Sequence, residues 1–288
     1  MSEELQKQVV ELAWRHWTAL GVAGVAPLPE HAIDLEALIA FMPFVAAADP
    51  RLARECVDWC VRIAPSFVSI SRLRQIVRLM PSRGEDGLDL PKLLLEGPKD
   101  PSVRAKVSGK SRMPRLEHPA LIQLRSRYIF GVGARADVIS VLATRSRGAE
   151  AARISSLRSV GYTKPAVATV MGELAAAGVL EKLVTSPAIS YKLIKGTSLR
   201  ALLAPLPRQA PSWPERFVLI ANVLETWRRF GLRASYPIEL AKVLDKLRPL
   251  AATIEERPPI VGRPSVIVDQ VTRWAAALLA PKGRAGLR

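Results

Sequence analysis

This chain of 288 residues is poor in the residues that build most catalytic and metal sites. It has two cysteines, Cys56 and Cys60, and three histidines, His16, His31 and His118, none of which follows the spacing of a zinc motif. The sequence also lacks a nucleophile elbow and a phosphate-binding loop that ends in Lys-Ser or Lys-Thr. We therefore expect no enzymatic activity, no cofactor and no metal ion. The two cysteines are one helical turn apart, which predicts buried free thiols.

Long apolar runs are absent as well. No run approaches the roughly twenty residues that span a bilayer, and the first residues are acidic, unlike the basic start of a signal peptide. Because 49% of the residues are hydrophobic, the chain is not disordered. The sequence predicts a globular, cytoplasmic protein with no membrane contact and with room for two or three domains.

Acidic residues are fewer than basic ones, and the imbalance is local. The net charge is +16. Residues 1–103 hold 11 basic and 14 acidic residues, residues 104–200 hold 17 and 5, and residues 201–288 hold 14 and 7. Clustered Lys and Arg bind phosphates by releasing condensed counterions, so nucleic acid is the expected partner. As an alternative, a composition rich in Arg, Ala and Pro gives a high isoelectric point without any function.

The most basic third of the chain contains a run of three predicted helices. Apolar residues recur at helical spacing over 134–145 and over 153–160, and Gly161 can adopt the positive φ that ends a helix. Thr163 is a suitable N-cap for a third helix. Pro165 is tolerated in its first turn, because the N–H that proline lacks would have no partner there.

A β-hairpin is predicted after the third helix. The segments 179–185 and 189–195 have strand-like patterns on either side of a turn at Ser186-Pro187. With its Gly-Tyr-Thr-Lys-Pro turn at 161–165 and its Glu-Leu-Ala-Ala-Ala-Gly-Val-Leu junction at 173–180, this part of the chain resembles winged helix-turn-helix transcriptional regulators of the MarR, ArsR and IclR kinds.

The resemblance covers about 131–195 and implies a mode of binding to double-stranded DNA. In such families the third helix enters the major groove, and the hairpin, or wing, rests on the DNA backbone or in the minor groove. The outward positions of this third helix are mainly Ala, Thr and Gly172, so base contacts are limited to Lys164 and to thymine methyl groups. The candidate nucleic-acid-binding residues are Thr163, Lys164, Ala166, Ala168 and Thr169 in the helix, Lys182 and Lys192 in the wing, and Arg125, Arg127, Arg145, Arg147 and Arg153 around them.

The glycines of Gly131-Val-Gly-Ala-Arg-Ala136 match a loose dinucleotide-binding fingerprint. That fingerprint needs a buried strand before the glycines, and a second strand with a ribose-binding acid about twenty residues later. Only Tyr128-Ile-Phe130 precedes the glycines, and no such strand follows. We therefore assign the glycines to the entry of the first helix of the motif.

The first part of the chain, residues 1–82, is predicted to be a helical domain. Its four helices should span Glu4–Leu20, the residues from the cap Asp34 to Val45, Asp49–Ile63, and a segment from a cap at Ser69 or Ser71 to Met80. Short connections suit a bundle, and the near-neutral charge favours dimerisation or a partner protein over contact with DNA. Trp14, Trp17 and Trp59 are expected in the core, with a recognition surface as the alternative.

Two linkers are predicted. Within the first, residues 83–119, the segment 106–115 is basic and has no apolar period, so we expect a mobile arm that either follows a phosphate backbone or is only solvated. The second is the proline-rich stretch 204–214, which should separate a winged helix-turn-helix domain (120–203) from a C-terminal helical domain (204–288). Helices are predicted there at Pro214–Phe230, Pro237–Ile254 and Pro264–Ala280, followed by a frayed basic tail.

The sequence thus predicts a mainly α-helical protein with a helical bundle, a central winged helix-turn-helix with a hairpin wing, and a C-terminal helical domain. The predicted function is a DNA-binding transcriptional regulator that forms a homo-oligomer or binds a helical partner through one of its flanks. The alternative is a protein-interaction module whose layout resembles antitoxins of the AbiEi type, which neutralise a nucleotidyltransferase toxin. Such an antitoxin can also repress its own operon, so the two functions are compatible.

Overall fold

The protein is mainly helical and has one small antiparallel sheet in the part that is described. The structure, a computed structural model, describes residues 2–83, 89–97, 107–144, 152, 157, 161–185, 188–194, 196–259 and 263–280. The α-helices in these ranges are α1 (Ser2–Ala19), α2 (Leu35–Ala46), α3 (Pro50–Arg62), α4 (Ile70–Val77), α5 (Leu90–Glu96), α6 (Ile122–Phe130), α7 (Ala134–Thr144), α8 (Lys164–Ala176), α9 (Gly196–Leu202), α10 (Trp213–Phe230), α11 (Tyr236–Lys246), α12 (Arg248–Ala252) and α13 (Pro264–Leu279). The strands are β1 (Leu180–Thr185) and β2 (Ala188–Leu193), and short 3-10 turns precede α4 and α6.

Local capping chemistry defines the starts of the N-terminal helices. The Asp34 carboxylate accepts a hydrogen bond from the Ala37 N–H at 3.0 Å at the start of α2. Asp49 accepts one from the Leu52 N–H at 2.9 Å at the start of α3, and the Ser69 hydroxyl caps α4. These side chains satisfy amide donors that have no partner inside the helix. The four predicted N-terminal helices are confirmed.

The N-terminal and C-terminal helices share one hydrophobic core. The reason is α2, which buries nine of its twelve residues and so needs neighbours on nearly every side. Helix α10 provides one of them, and the rings of Phe41 and Phe217 stack there with their centroids 4.5 Å apart. These flanks are predicted to be two domains, whereas their buried side chains form a single cluster. Trp17 and Trp59 are fully buried within it, as expected for core residues.

The proline-rich stretch 204–214 lies against the bundle. The Ala32 N–H donates to the Gln209 carbonyl at 2.8 Å, and the Arg208 N–H donates to the Glu30 carbonyl at 3.1 Å. Trp213 Nε1 donates to the Ala32 carbonyl at 2.8 Å. This stretch therefore fastens the C-terminal helices to the N-terminal ones instead of separating them.

The predicted basic arm is also fastened to the bundle over its described part, residues 107–115. Asp58, buried on α3, accepts hydrogen bonds from the N–H groups of Gly109 and Ser111, both at 2.7 Å. The Arg112 N–H donates to the Gly21 carbonyl at 2.9 Å. Gly21 has φ +96°, and a Cβ at this position would lie 2.1 Å from the Arg112 carbonyl oxygen, so only glycine fits. The sequence predicts a mobile segment here because it has no apolar period. Instead, hydrogen bonds from the backbone N–H groups of the segment hold it against the bundle.

The state of the two cysteines and the character of the helices bear on two further predictions. Cys56 and Cys60 are buried free thiols, as predicted, and burial raises the pKa of both. Among the described helices, none combines the length and the apolar character that crossing a membrane requires.

Glu215, in the first turn of α10, is a largely buried carboxylate. Its Oε2 atom has no hydrogen-bond partner among the described residues. Burial raises the pKa of Glu215 to about 7 from an ordinary value of 4.5, and the Asp34 carboxylate acts in the same direction. Because the folded-state pKa is the higher one, the contribution of Glu215 to stability is greatest below pH 4.5 and is lost as the pH rises through about 7.

We predict that Glu215→Gln raises the free energy of unfolding by about 1–3 kcal/mol at about pH 8, since the amide keeps the side-chain shape and removes a buried charge. At about pH 4 both side chains are neutral in the folded state, so the difference should largely vanish. Urea denaturation at several pH values measures this, with the exposed Glu117→Gln as the control. An equal gain at both pH values would contradict the pKa assigned to Glu215.

Candidate nucleic-acid interface

Helices α7, α8 and α9 and the hairpin, together called the helix–hairpin unit, pack around a second hydrophobic core. Its buried residues include Val138, Leu142, Met171, Leu174 and Tyr191. Helices α7 and α8 confirm the first and third helices predicted from the sequence. The predicted second helix, 153–160, lies outside the described residues apart from Leu157, which is buried in this core.

The start of α8 is exposed and carries a single charged side chain. The Thr163 hydroxyl accepts a hydrogen bond from the Ala166 N–H at 3.4 Å, which confirms the predicted N-cap. Thr163, Lys164 and Thr169 are exposed, whereas Ala166 and Ala168 are half-buried. Lys164 therefore lies at the positive end of the helix dipole.

The strands β1 and β2 form the predicted hairpin. Their register pairs Lys182 with Tyr191 and Glu181 with Lys192. Successive residues of a strand point to opposite faces, so Lys182 lies on the face that carries the buried Tyr191 ring, and Lys192 lies on the other. Both lysines are exposed. Lys182 therefore provides a positive charge on one face, and on the other face Lys192 lies across from the exposed Glu181.

A backbone bridge holds the hairpin to the segment between α7 and α8. The Ala152 N–H donates to the Tyr191 carbonyl at 2.7 Å, and the Tyr191 N–H donates to the Ala152 carbonyl at 2.9 Å. This pairing runs antiparallel beside β2. Ala152 thus pairs with the edge of β2 that β1 leaves open.

Arg127 lies at the centre of a buried ion network that fixes the unit to the bundle. Its guanidinium donates to Asp137 of α7 at 2.8 and 2.6 Å and to Glu36 of α2 at 2.5 and 2.9 Å. It also donates to the Phe67 carbonyl at 2.6 Å. Burial would raise the pKa of Glu36, but Arg127 and Arg72 hold it at about 2. The carboxylate is therefore ionised at neutral pH, where it pairs with both arginines.

Arg72 extends this network to the residues just before α8. Its guanidinium binds both carboxylate oxygens of Asp34 and, at 2.5 Å, Glu36. Gly161 lies against it: a Cβ on this glycine, which has φ +72°, would be 2.9 Å from Arg72 Nε. The Tyr162 hydroxyl donates to Asp137 at 3.1 Å. The approach to α8 is thus packed against the charges that lock α7 to the bundle.

Arg125 and Arg127 do not belong to an exposed basic surface, contrary to the expectation from the sequence. Arg127 is 2% exposed, and all of its charge is directed at the buried network. Arg125 is 8% exposed and donates to the carbonyls of Leu116, His118, Leu203 and Pro205. Both arginines therefore stabilise the fold and cannot reach a phosphate without unfolding their surroundings.

Of the remaining candidates, Arg145, Arg147 and Arg153 lie outside the described residues. Sequence reasoning missed Glu36, Arg72 and Asp137, the partners that the network brings together. One signal in the sequence could have indicated the network. Asp137 lies among the apolar residues of a predicted helix, and a buried carboxylate there needs a partner of opposite charge.

In comparisons with known proteins, no family model, curated protein or solved structure matches the chain.

We predict that Arg127→Met lowers the free energy of unfolding by about 3–5 kcal/mol, because the buried carboxylates of Glu36 and Asp137 would be left with only Arg72 as a cationic neighbour among the described residues. The control is Arg135→Ala, which breaks an exposed pair with Glu173 and should cost at most about 1 kcal/mol. Denaturant titrations of both variants measure these changes. A loss for Arg127→Met as small as that of the control would contradict the role assigned to the network.

Proposed function

We propose that this protein is a DNA-binding transcriptional regulator whose helix–hairpin unit acts as a winged helix-turn-helix. The observation that supports this most is the position of Lys164, Lys182 and Lys192: all three are exposed, and they lie on the unit's recognition-helix candidate and hairpin. Lys and Arg that meet phosphates release condensed counterions, which provides binding energy that does not depend on base sequence.

Helix α8 has the form that a major groove requires. The groove is about 12 Å wide and admits an α-helix. The exposed Thr169 and the half-buried Ala166 and Ala168 near its start are small, so the backbone can approach the DNA closely. Lys164, at the positive end of the helix dipole, would then bind a phosphate at the groove edge.

The hairpin would bind the backbone beside that groove. Because Lys182 and Lys192 lie on opposite faces of the ribbon, each can meet a phosphate on a different side when the hairpin lies along the duplex. Most of the binding energy would then come from phosphates and little from base edges. Steep salt dependence with modest sequence preference is the expected behaviour.

The tip of the hairpin favours the second candidate, a module that binds a partner protein. Val184 and Ile189 are cross-strand neighbours there and are 72% and 44% exposed. Exposed apolar surface is a feature of sites that bind protein. Under this alternative the protein neutralises a partner such as a nucleotidyltransferase toxin, as its layout resemblance to AbiEi-type antitoxins suggests. Assembly through a helical flank stays a prediction under either function.

We predict that the triple variant Lys164→Ala, Lys182→Ala, Lys192→Ala, called the lysine variant, weakens binding to duplex DNA at least tenfold at low salt. The slope of log K against log salt should become shallower by roughly one for each lost phosphate contact. Fluorescence anisotropy over a salt series measures both quantities.

The matched control removes three exposed charges elsewhere: Lys246→Ala, Arg257→Ala, Arg263→Ala. Equal affinities and slopes for the lysine variant and the wild type would contradict the DNA-binding surface proposed for the unit. If, in addition, a Val184→Ser, Ile189→Ser variant lost a protein partner that the wild type retains, the second candidate would take its place.

A further inference from the structure

The bundle has a basic surface, although residues 1–103 hold more acidic than basic residues. Helix α3 has three exposed arginines, Arg51, Arg54 and Arg62. Of its two acidic residues, the buried Asp58 pairs with Arg62, and Glu55 is half-buried, so Arg51 and Arg54 give this face an excess of positive charge. The net charge of the N-terminal region therefore does not predict the charge that this face of α3 exposes to solvent.

The anchored loop 107–115 adds its own charges to this face. Asp58 holds the loop by the N–H groups on either side of Lys110, those of Gly109 and Ser111. Lys110 and Arg112 are exposed. Burial raises the pKa of Asp58, but the Ser111 and Gly109 N–H groups and Arg62 lower it below its ordinary value. The clamp is therefore ionised, and intact, at neutral pH.

The loop and the helix meet at a second point, which fixes their charges relative to one another. Arg62 Nη1 donates to the Ser111 carbonyl at 3.2 Å and pairs with Asp58 at 3.3 Å. Arg54 lies one turn before Asp58 on the same helix, and Arg62 lies one turn after it. The loop residues Lys110 and Arg112 are thus held close to α3 between Arg54 and Arg62. Arg51 lies about one turn before Arg54, with its guanidinium carbon 5.8 Å from the centre of the Trp14 ring.

We propose that these five residues, Arg51, Arg54, Arg62, Lys110 and Arg112, called the basic ridge, form a second phosphate-binding surface for nucleic acid. Among the described residues, no carboxylate forms an ion pair with Arg54, Lys110 or Arg112, so their charges are available to a ligand. The inference rests on the proposed function and adds to it a second place of contact, on the bundle.

The spacing of the charges fits a polyanion with closely repeated charges. At 1.5 Å per residue, Arg54 and Arg62 are about 12 Å apart along the helix axis. A duplex carries one phosphate charge per roughly 1.7 Å of its axis, hence about seven over the same length. A rigid backbone on both the helix and the loop means that little ordering entropy is lost when such a ligand binds.

The test uses the variant Arg54→Ala, Lys110→Ala, Arg112→Ala, called the ridge variant. These three side chains take no part in the described hydrogen bonds that hold the loop, whereas Arg62 does and Arg51 packs on Trp14. The control is again Lys246→Ala, Arg257→Ala, Arg263→Ala, which removes the same charge. A thermal midpoint equal to that of the wild type verifies that the ridge variant is folded.

We expect the ridge variant to bind duplex DNA roughly tenfold or more weakly than the wild type at low salt, with a salt slope shallower by about two to three. The control should keep both values. A ridge variant with wild-type affinity, or one no weaker than the control, would overturn the proposal.

Comparison with the lysine variant separates this inference from the proposed function. If only the lysine variant loses affinity, the basic ridge fails and the proposed function stands. If only the ridge variant loses affinity, DNA binding by the helix–hairpin unit fails and the ridge stands. If the ridge variant instead loses binding to vesicles of acidic phospholipid while its DNA affinity is unchanged, the ridge binds a membrane surface and the proposal is overturned.

Discussion

The pairing of Arg127 with Glu36 and Asp137 is the interaction on which the arrangement of the molecule depends. It joins α2, α6 and α7 through one fully buried guanidinium. A buried ion pair contributes little net stability compared with apolar residues of the same shape, but the loss of one partner is severe. We infer that its role is to select one arrangement of the helices, since an arrangement that separates these groups leaves a charge unpaired in the core.

This constraint determines how the helix–hairpin unit is presented. Arg72 and Tyr162 connect the same network to the chain just before α8, and Arg125 ties α6 to the segment that leads from α9 to the proline-rich stretch. The flanking helices share a single core beneath it. A DNA-binding unit held in this way would lose little conformational entropy on binding, and its lysines would keep fixed positions relative to the basic ridge.

The features that the sequence predicts well are those determined within a few residues. Asp34, Asp49 and Thr163 cap helices because their oxygens reach an N–H three residues on, and this chemistry is visible in a short window. The hairpin follows from alternation around a turn in the same way.

Long-range pairing could not be read from such windows. Arg127 meets Glu36 across 91 positions, and nothing in the local sequence of an arginine distinguishes a buried partner from a phosphate ligand. The loop at 107–115 lacks any period, yet Asp58 anchors it from 51 positions upstream. The shared core of the flanking helices could not be read from the sequence for a related reason: an apolar α2 shows that neighbours are needed, but not which part of the chain provides them.

The central claim is that the exposed lysines of the unit bind the DNA backbone. Its most direct test is fluorescence anisotropy of the wild-type protein, over a salt series, on the duplex upstream of its own gene and on a scrambled duplex of equal length. If the exposed lysines bind the DNA backbone, we expect tight binding at low salt, with log K falling linearly with log salt at a slope of about −3 or steeper. We expect at most a modest preference for the upstream duplex. An absence of binding to either duplex at low salt would contradict it.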